Sequence, residues 1–383
     1  MLQNPLAGLR ILTLEHFGAG PYGSMLLAGL GAEVVKIESP ASGGDYSRRF
    51  GPHLLGEADS QMFQTFNRGK QSLCLDLKAP GGREKLQQLA AEADALMNNL
   101  RGDQPEKLGL TYAALAPVNP RIVCAHLSAY GRGNSREKRP GYDYLMQAEA
   151  GFLSLTGEPD APPTRFGLSM VDFMTGAVFA LGLLAAVTQS RRTGVGGDVD
   201  VSLFDVALHQ LSYPATWQLN AGDSTPRRPR SAHPTIAPSQ LFRAQDGWLF
   251  LMCQTPMFWQ RFCERMGRRD WLEDPRFASE QARGENRAAL QEEIEALLGE
   301  APVAHWIEKL ADSVPIATVN SLADALANPF VGEVDMIEQV AHPARPDGLQ
   351  MLGFPIRLNG RRPSPGRGPG LGEHTGRYIS GED

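Results

Sequence analysis

The chain has 383 residues, 37 Lys and Arg against 43 Asp and Glu, a formal net charge of −6, and 42% hydrophobic residues. That length accommodates two domains with a sizeable core. The acidic balance excludes a nucleic-acid binder, which would carry a basic face. Cys74, Cys124, Cys253 and Cys263 stand without C-x-x-C spacing, so no disulfide framework or zinc site is expected and a reducing compartment fits. No basic stretch followed by an apolar core opens the sequence, and its longest apolar run, Ala177 to Val187, falls short of the roughly 20 residues a bilayer requires. A cytoplasmic protein without nucleic-acid or membrane partners is expected.

In chain order, β-rich runs alternate with helical patterns. Strands are predicted at Gly8 to Leu14, Glu33 to Glu38, Ser72 to Leu77, Ala95 to Asn98 and Arg121 to Ser128. Helices at Pro21 to Leu30, Gly82 to Ala93 and Thr111 to Val118 lie between them. This alternation predicts an α/β fold with a parallel, doubly wound sheet, whose ligands sit at the carboxyl ends of the strands. Helices at Tyr142 to Phe152 and Met170 to Arg191 follow, then a strand at Gly197 to Leu203 and a helix at Asp205 to Leu219. Ala221 to Arg230 (AGDSTPRRPR) reads as a linker, its arginines solvated. Asp246-Gly247 between Gln240 to Gln245 and Trp248 to Cys253 marks a hairpin. Helices at Pro256 to Met266, Gln281 to Leu298, Val303 to Leu310 and Leu322 to Ala327 complete a small α+β domain. The expected division is a large domain over 1–220, a small one over 221–330, and an extended, proline-rich segment over 331–383 with a flexible stretch at Pro363 to Gly370.

Three motifs bear on chemistry. Gly18-Ala19-Gly20-Pro21-Tyr22-Gly23 is a literal G-x-G-x-x-G between strand and helix, with Glu38 about 20 residues on, the dinucleotide fingerprint of an NAD-dependent dehydrogenase. Pro21, however, removes an N–H that a pyrophosphate site would use. Asp172 opens a long apolar helix, three residues after Ser169. One interpretation is a capping box on a core helix, with Arg191, Arg192 and Gly194 as stop signals. The other is a carboxylate kept ionised by the helix dipole and used as a nucleophile. Asp143, after Pro140, is a second acid at a helix start, and the two acids together suggest a shared site. The histidines show no metal-ligand spacing, so no metal is expected, and there is no G-x-S-x-G elbow.

Together these segments resemble the class III CoA-transferase family, which includes formyl-CoA:oxalate transferases, carnitine CoA-transferases and 2-methylacyl-CoA racemases. The resemblance rests on AGP at Ala19 to Pro21, GAEVVKIESP at Gly31 to Pro40, NRGKQSLCLDLKAPGG at Asn67 to Gly82 and LGLTYAALAPVNPRIV at Leu108 to Val123. PGYDYLMQAEAG at Pro140 to Gly151, the Asp172 helix, HPTIAPSQLFRAQDGW at His233 to Trp248 and NPFV at Asn328 to Val331 extend it. It implies a Rossmann-like large domain with an inserted small domain, two chains interlocking as a homodimer. It also implies transfer of CoA from an acyl-CoA donor to a carboxylic acid acceptor through a mixed anhydride and an aspartyl-CoA thioester on Asp172. No permanently bound cofactor is implied, since the CoA thioester is the substrate. The implied CoA contacts are Gly18, Ala19, Leu75, Lys78, Asn99, Leu100, Arg101, Lys107, Tyr142 and Asp143. Gly18 replaces the glutamine of the formyl-CoA branch, whose glycine-rich lid has no counterpart; His233 to Pro238 occupies about that place. The racemase branch has a histidine where this chain has Tyr142, whose phenol is a poor base near neutrality. This favours transferase over racemase.

Overall fold

The computed structural model describes residues 3–379, which form two compact units. The first comprises the chain up to Ala150, Gly167–Ser212 and the segment from Phe330 onward. In chain order it begins β1 (Arg10–Leu14), α1 (Ala19–Gly29), β2 (Glu33–Glu38), α2 (Gln61–Asn67), β3 (Gln71–Cys74), α3 (Gly82–Ala91), β4 (Ala95–Asn98). It continues α4 (Gln104–Leu108), α5 (Tyr112–Leu115), β5 (Val123–Ser128) and α6 (Asp143–Glu149). Helix α7 (Phe152–Leu155) belongs to the second unit, with all of Gly151–Phe166, where the sequence places residues up to 220 in the large domain. The first unit resumes with α8 (Met170–Thr193), β6 (Gly197–Ser202) and α9 (Leu203–Gln210).

Six parallel strands run in the order β3-β2-β1-β4-β5-β6. The β-branched and aliphatic runs of β1, β2, β4 and β5 are buried on both faces, as a parallel sheet covered by helices requires. The order reverses between β1 and β4, which leaves a crevice outside their carboxyl ends. Helix α8 buries Val171, Thr175, Phe179, Leu183 and Val187, a repeat of four that makes one continuous face. It crosses α1 where Gly23 meets Gly176: a Cβ on Gly176 would lie 2.5 Å from the Ala19 carbonyl oxygen, and one on Gly23 equally close to the Gly176 oxygen. The helix extends over 24 residues and ends at Gly194 in a left-handed cap (φ 78). It is longer than the apolar run that the sequence marks off. By length and composition it could cross a membrane, and 39% of its most apolar window is buried within the fold.

The second unit carries α10 (Ser212–Ala221), apart from its first residue. The predicted helix Asp205 to Leu219 is instead two helices, broken at Ser212 (φ 53). An antiparallel sheet of β7 (Ser239–Arg243), β8 (Trp248–Met252) and β9 (Ile316–Thr318) shares this unit with α11 (Pro256–Met266), α12 (Glu280–Glu285), α13 (Arg287–Leu298), α14 (Val303–Leu310) and an exposed α15 (Leu322–Ala327). Trp259, Trp271, Phe262, Phe277 and Leu290 fill its core. Arg227, expected in solvent, donates to the carbonyls of Pro159 and Pro162 at 3.2 and 3.1 Å and fastens this unit's two chain segments together.

The closing segment is more structured than its proline content suggests. Helix α16 (Pro329–Glu333) leads into a hairpin of β10 (Ile337–His342) and β11 (Arg345–Leu352), and α17 (Thr375–Ile379) ends the described chain. Pro363 to Gly370, predicted flexible, is hydrogen-bonded to the first unit. Arg68 donates to the Gly366 carbonyl (2.9 Å), Arg48 to that of Pro369 (3.1 Å), and Gly69 N–H to that of Arg367 (3.2 Å).

Candidate active site

Asp172 lies in the first turn of α8, and its surroundings decide between cap and reactive group. Ser169 occupies the N-cap position, but its hydroxyl makes no capping bond, so the expected capping box is absent. The cap comes from α6: Asp143 Oδ2 accepts the Asp172 N–H at 2.9 Å. Gln147 Nε2 donates to Asp143 Oδ1 at 2.6 Å and to the Leu168 carbonyl at 3.2 Å, which holds that acid in place. A neighbouring acid thus satisfies an orphan helix donor, and among the described residues the Asp172 carboxylate has no hydrogen-bond partner. Burial, followed by the charge of Asp143, raises the Asp172 carboxyl to about 7.

The carboxylate faces a cavity of about 240 Å³ in the crevice between β1 and β4. His16, Phe17, Gly18 and Ala19 follow β1, while Asn99, Leu100 and Arg101 follow β4. Leu127, Ser128 and Ala129 end β5, and Arg139 to Tyr142 lead into α6. Gly18 leaves room for the acid, since a Cβ there would lie 2.9 Å from Asp172 Oδ2. The N–H groups of Ala19 and Gly20 open α1, where a helix has no internal partner for them.

The loop from Glu15 to Gly18 is held from beneath by a buried network that the sequence does not announce. Glu15 accepts from Ser24 (2.6 Å) and Lys70 (2.8 Å), and Lys36 pairs with Asp45 at 2.9 Å. Arg48 binds Glu38 through Nε (2.8 Å) and Nη2 (2.7 Å) and covers the Phe63 ring. Three acids and three bases therefore balance, as buried charges must. Burial lowers Lys70 to about 8, and Lys36 helps hold Asp45 far below the usual carboxylate range. Asp45 Oδ1 in turn accepts the Phe17 N–H at 3.2 Å. The segment Asn67 to Ser72, which reads as a polar turn, supplies Lys70 to this network.

The nucleotide look-alike dissolves in the same geometry. Gly18 packs on Asp172, Gly20 on the Asn99 side chain and Gly23 on Gly176, so all three glycines serve close contacts within the fold. Glu38, placed for a ribose, is committed to Arg48, Ser72 Oγ (2.6 Å) and the Asp45 N–H (2.9 Å).

Of the residues singled out from sequence, Gly18, Ala19, Asn99, Leu100, Arg101, Tyr142 and Asp172 line one cavity, with Asp143 directly behind. Lys107 is linked to Arg101 through Asp103, which both contact at 2.5 Å. Leu75 and Lys78, beyond β3, do not line the cavity. The Asn99 amide is used on the backbone of His16, accepting its N–H (2.9 Å) and donating to its carbonyl (2.7 Å). His16, Phe17, Ser128 and Arg139 were not foreseen; the position of His16 and Phe17 directly after β1 was the available signal.

The model of CoA-transferase family III matches residues 6–375. Acetyl-CoA:oxalate CoA-transferase of Acetobacter aceti is 33% identical over 94% of this chain and 90% of its own length. Succinyl-CoA:mesaconate CoA-transferase of Haloarcula hispanica is likewise 33% identical, over 98% and 95%. The crystal structure of a CaiB/BaiF family protein from Brucella suis, 32% identical, superposes with a TM-score of 0.85 over all of both chains. With a parallel six-stranded sheet, the crevice at its reversal and the family pattern over nearly its whole length, this chain belongs to CoA-transferase family III.

Proposed function

We propose that this protein moves CoA from an acyl-CoA donor to a carboxylic acid, with Asp172 as the covalent nucleophile. The observation that carries this is the Asp172 carboxylate, placed in the cavity against Gly18, the residue before α1, and without a hydrogen-bond partner among the described residues. Asp172 attacks the thioester carbonyl, the C–S bond breaks, and a mixed anhydride and CoA thiolate result. The thiolate attacks the aspartyl carbonyl, which releases the first carboxylate and leaves an aspartyl-CoA thioester. The acceptor carboxylate attacks that thioester to give a second anhydride. Return of the thiolate to the acceptor's carbonyl forms the new acyl-CoA and frees Asp172. A carboxylate is a modest nucleophile, so positioning and oxyanion donors must carry the rate. The Ala19 and Gly20 N–H groups are suited to that second part. Arg101, in the cavity lining after β4, and Lys107, linked to it through Asp103, are suited to the CoA phosphates.

The relatives' names support donors such as acetyl-CoA or succinyl-CoA. The test is a screen of carboxylic acids against these two donors, with CoA esters identified by mass spectrometry. We expect new esters with the native protein and none with Asp172→Ala; near-native turnover in a folded variant would remove Asp172 from the mechanism. We further infer a homodimer, interlocked as the resemblance implies, because α8 leaves apolar side chains such as Leu181 (68% exposed) uncovered. Sedimentation at micromolar concentration should give twice the chain mass. We place the reaction in the cytoplasm, where the four free thiols stay reduced.

A further inference from the structure

Three basic side chains line the cavity beside Asp172, and two of them are engaged within the fold. Arg101 donates to Asp103 through Nε (2.5 Å) and Nη2 (3.1 Å), and His16 faces the buried Asp45 at 3.8 Å. The third, Arg139, is exposed, and among the described residues its guanidinium has no hydrogen-bond or ion-pair partner. Glu149, on which its charge acts, is already taken by Arg136 and by the Tyr130 hydroxyl at 2.8 Å. The backbone beneath Arg139 is fixed. Its N–H donates to the Arg136 carbonyl at 2.9 Å, and Pro140 follows with its φ locked by the ring. Gly141 then passes so close to the end of β5 that a Cβ on it would stand 2.4 Å from that of Ala129. Solvated arginines are ordinary on a surface; this one is anchored in the wall of the cavity that holds the proposed nucleophile.

Arg139 does not serve Asp172 itself. Burial and the charge of Asp143 raise the Asp172 carboxyl, and Arg139 exerts no opposing effect on it, so the guanidinium is not its neighbour. A substrate whose reacting carbonyl lies at Asp172 would meet Arg139 only with a group further along its chain. The group that a planar guanidinium holds best is a carboxylate, through two parallel N–H bonds. Oxalate, whose carboxylates adjoin, is too short to reach both residues, whereas succinate and glutarate place a carbon spacer between their two ends. A monocarboxylic acid of the same length gains nothing from the arginine.

We infer that Arg139 is a specificity-determining residue that holds the distal carboxylate of the acid, and that the preferred acceptor is a dicarboxylic acid of succinate or glutarate size. This inference rests on the CoA-transfer role of Asp172. The test compares succinate with butyrate, its counterpart lacking the second carboxylate, and with oxalate, using acetyl-CoA as donor and the full-length protein. The expected kcat/KM for succinate exceeds that for butyrate and for oxalate by about tenfold or more. Arg139→Gln should lower the succinate-to-butyrate ratio about tenfold, chiefly through a higher KM for succinate. Arg139→Lys, which keeps the charge but not the fork, should fall between the two. Preference for butyrate or oxalate, or a ratio that Arg139→Gln does not move, overturns the inference while leaving the Asp172 chemistry standing. An equal fall for succinate and butyrate with a raised KM for acetyl-CoA assigns Arg139 to the CoA moiety and also overturns it. Failure of the native protein to use any acid removes the transferase role and this inference together.

Discussion

At Asp172, burial beside Asp143 keeps the carboxyl protonated well above the range of an exposed aspartate. In the proposed mechanism the nucleophile is the carboxylate, so kcat/KM should rise with pH and level off above about 7. A flat profile between pH 5 and 8 would contradict this. Stability should show the opposite sign. The folded state holds this proton between about pH 4 and 7 while the unfolded chain releases it, so the contribution is full below about 4 and is lost as pH rises through 7. Asp172→Asn, neutral at every pH, should therefore exceed the native protein by as much as about 4 kcal/mol at pH 8, with the gap closing near pH 4. Thermal unfolding at the two pH values measures it. A cap interpretation predicts the reverse at pH 8, a loss of about 1 kcal/mol. Tyr142, in place of the racemase branch's histidine, separates transferase from racemase. His16 does line the cavity, but a racemase must exchange the α-proton of 2-methylacyl-CoA with solvent. We expect no α-deuteration in heavy water, and Tyr142→Phe should retain a substantial fraction of transferase activity.

At the scale of elements, the site depends on how closely α1 approaches α8. Gly176→Ala would drive a Cβ to 2.5 Å from the Ala19 carbonyl oxygen, backbone that has little freedom to yield. We expect a loss of about 1–3 kcal/mol together with loss of turnover, read by thermal unfolding and assay. Gly18→Ala places its Cβ against the Asp172 side chain, so activity should fall further than stability. These contacts also explain what was legible in the sequence. Strand–helix alternation foretold the sheet because buried parallel strands write themselves as apolar runs; β2 and β4 match their predicted bounds residue for residue. Asp172 and Asp143 were visible as acids at helix starts. The identity of the cap was not, because Asp143 acts across 29 residues of chain and no local spacing records it. The glycines of the G-x-G-x-x-G stretch were visible as glycines, but their partners Asp172, Asn99 and Gly176 are distant in sequence. For the same reason Glu15, Lys36, Lys70 and Asp45 read as scattered polar residues, although together they hold the Phe17–Gly18 turn.

For the whole molecule, the proposed ligand site is the cavity at the reversal of the sheet. Glu38 is occupied and the three glycines are packed, so NAD(H) should leave the melting temperature unchanged. CoA should raise it, by the equivalent of about 2.7 kcal/mol at a hundredfold excess over its dissociation constant. A shift with NAD(H) and none with CoA would reverse the assignment of the crevice. The central claim, that acyl transfer passes through Asp172, is tested most directly by trapping the intermediate. The protein is mixed with acetyl-CoA or succinyl-CoA without an acceptor, quenched with hydroxylamine and digested, and its peptides are read by mass spectrometry. The account predicts a hydroxamate on Asp172, dependent on the acyl-CoA and missing in Asp172→Asn. Turnover in the same preparation with Asp172 unmodified, or with the hydroxamate on another acid, would contradict it.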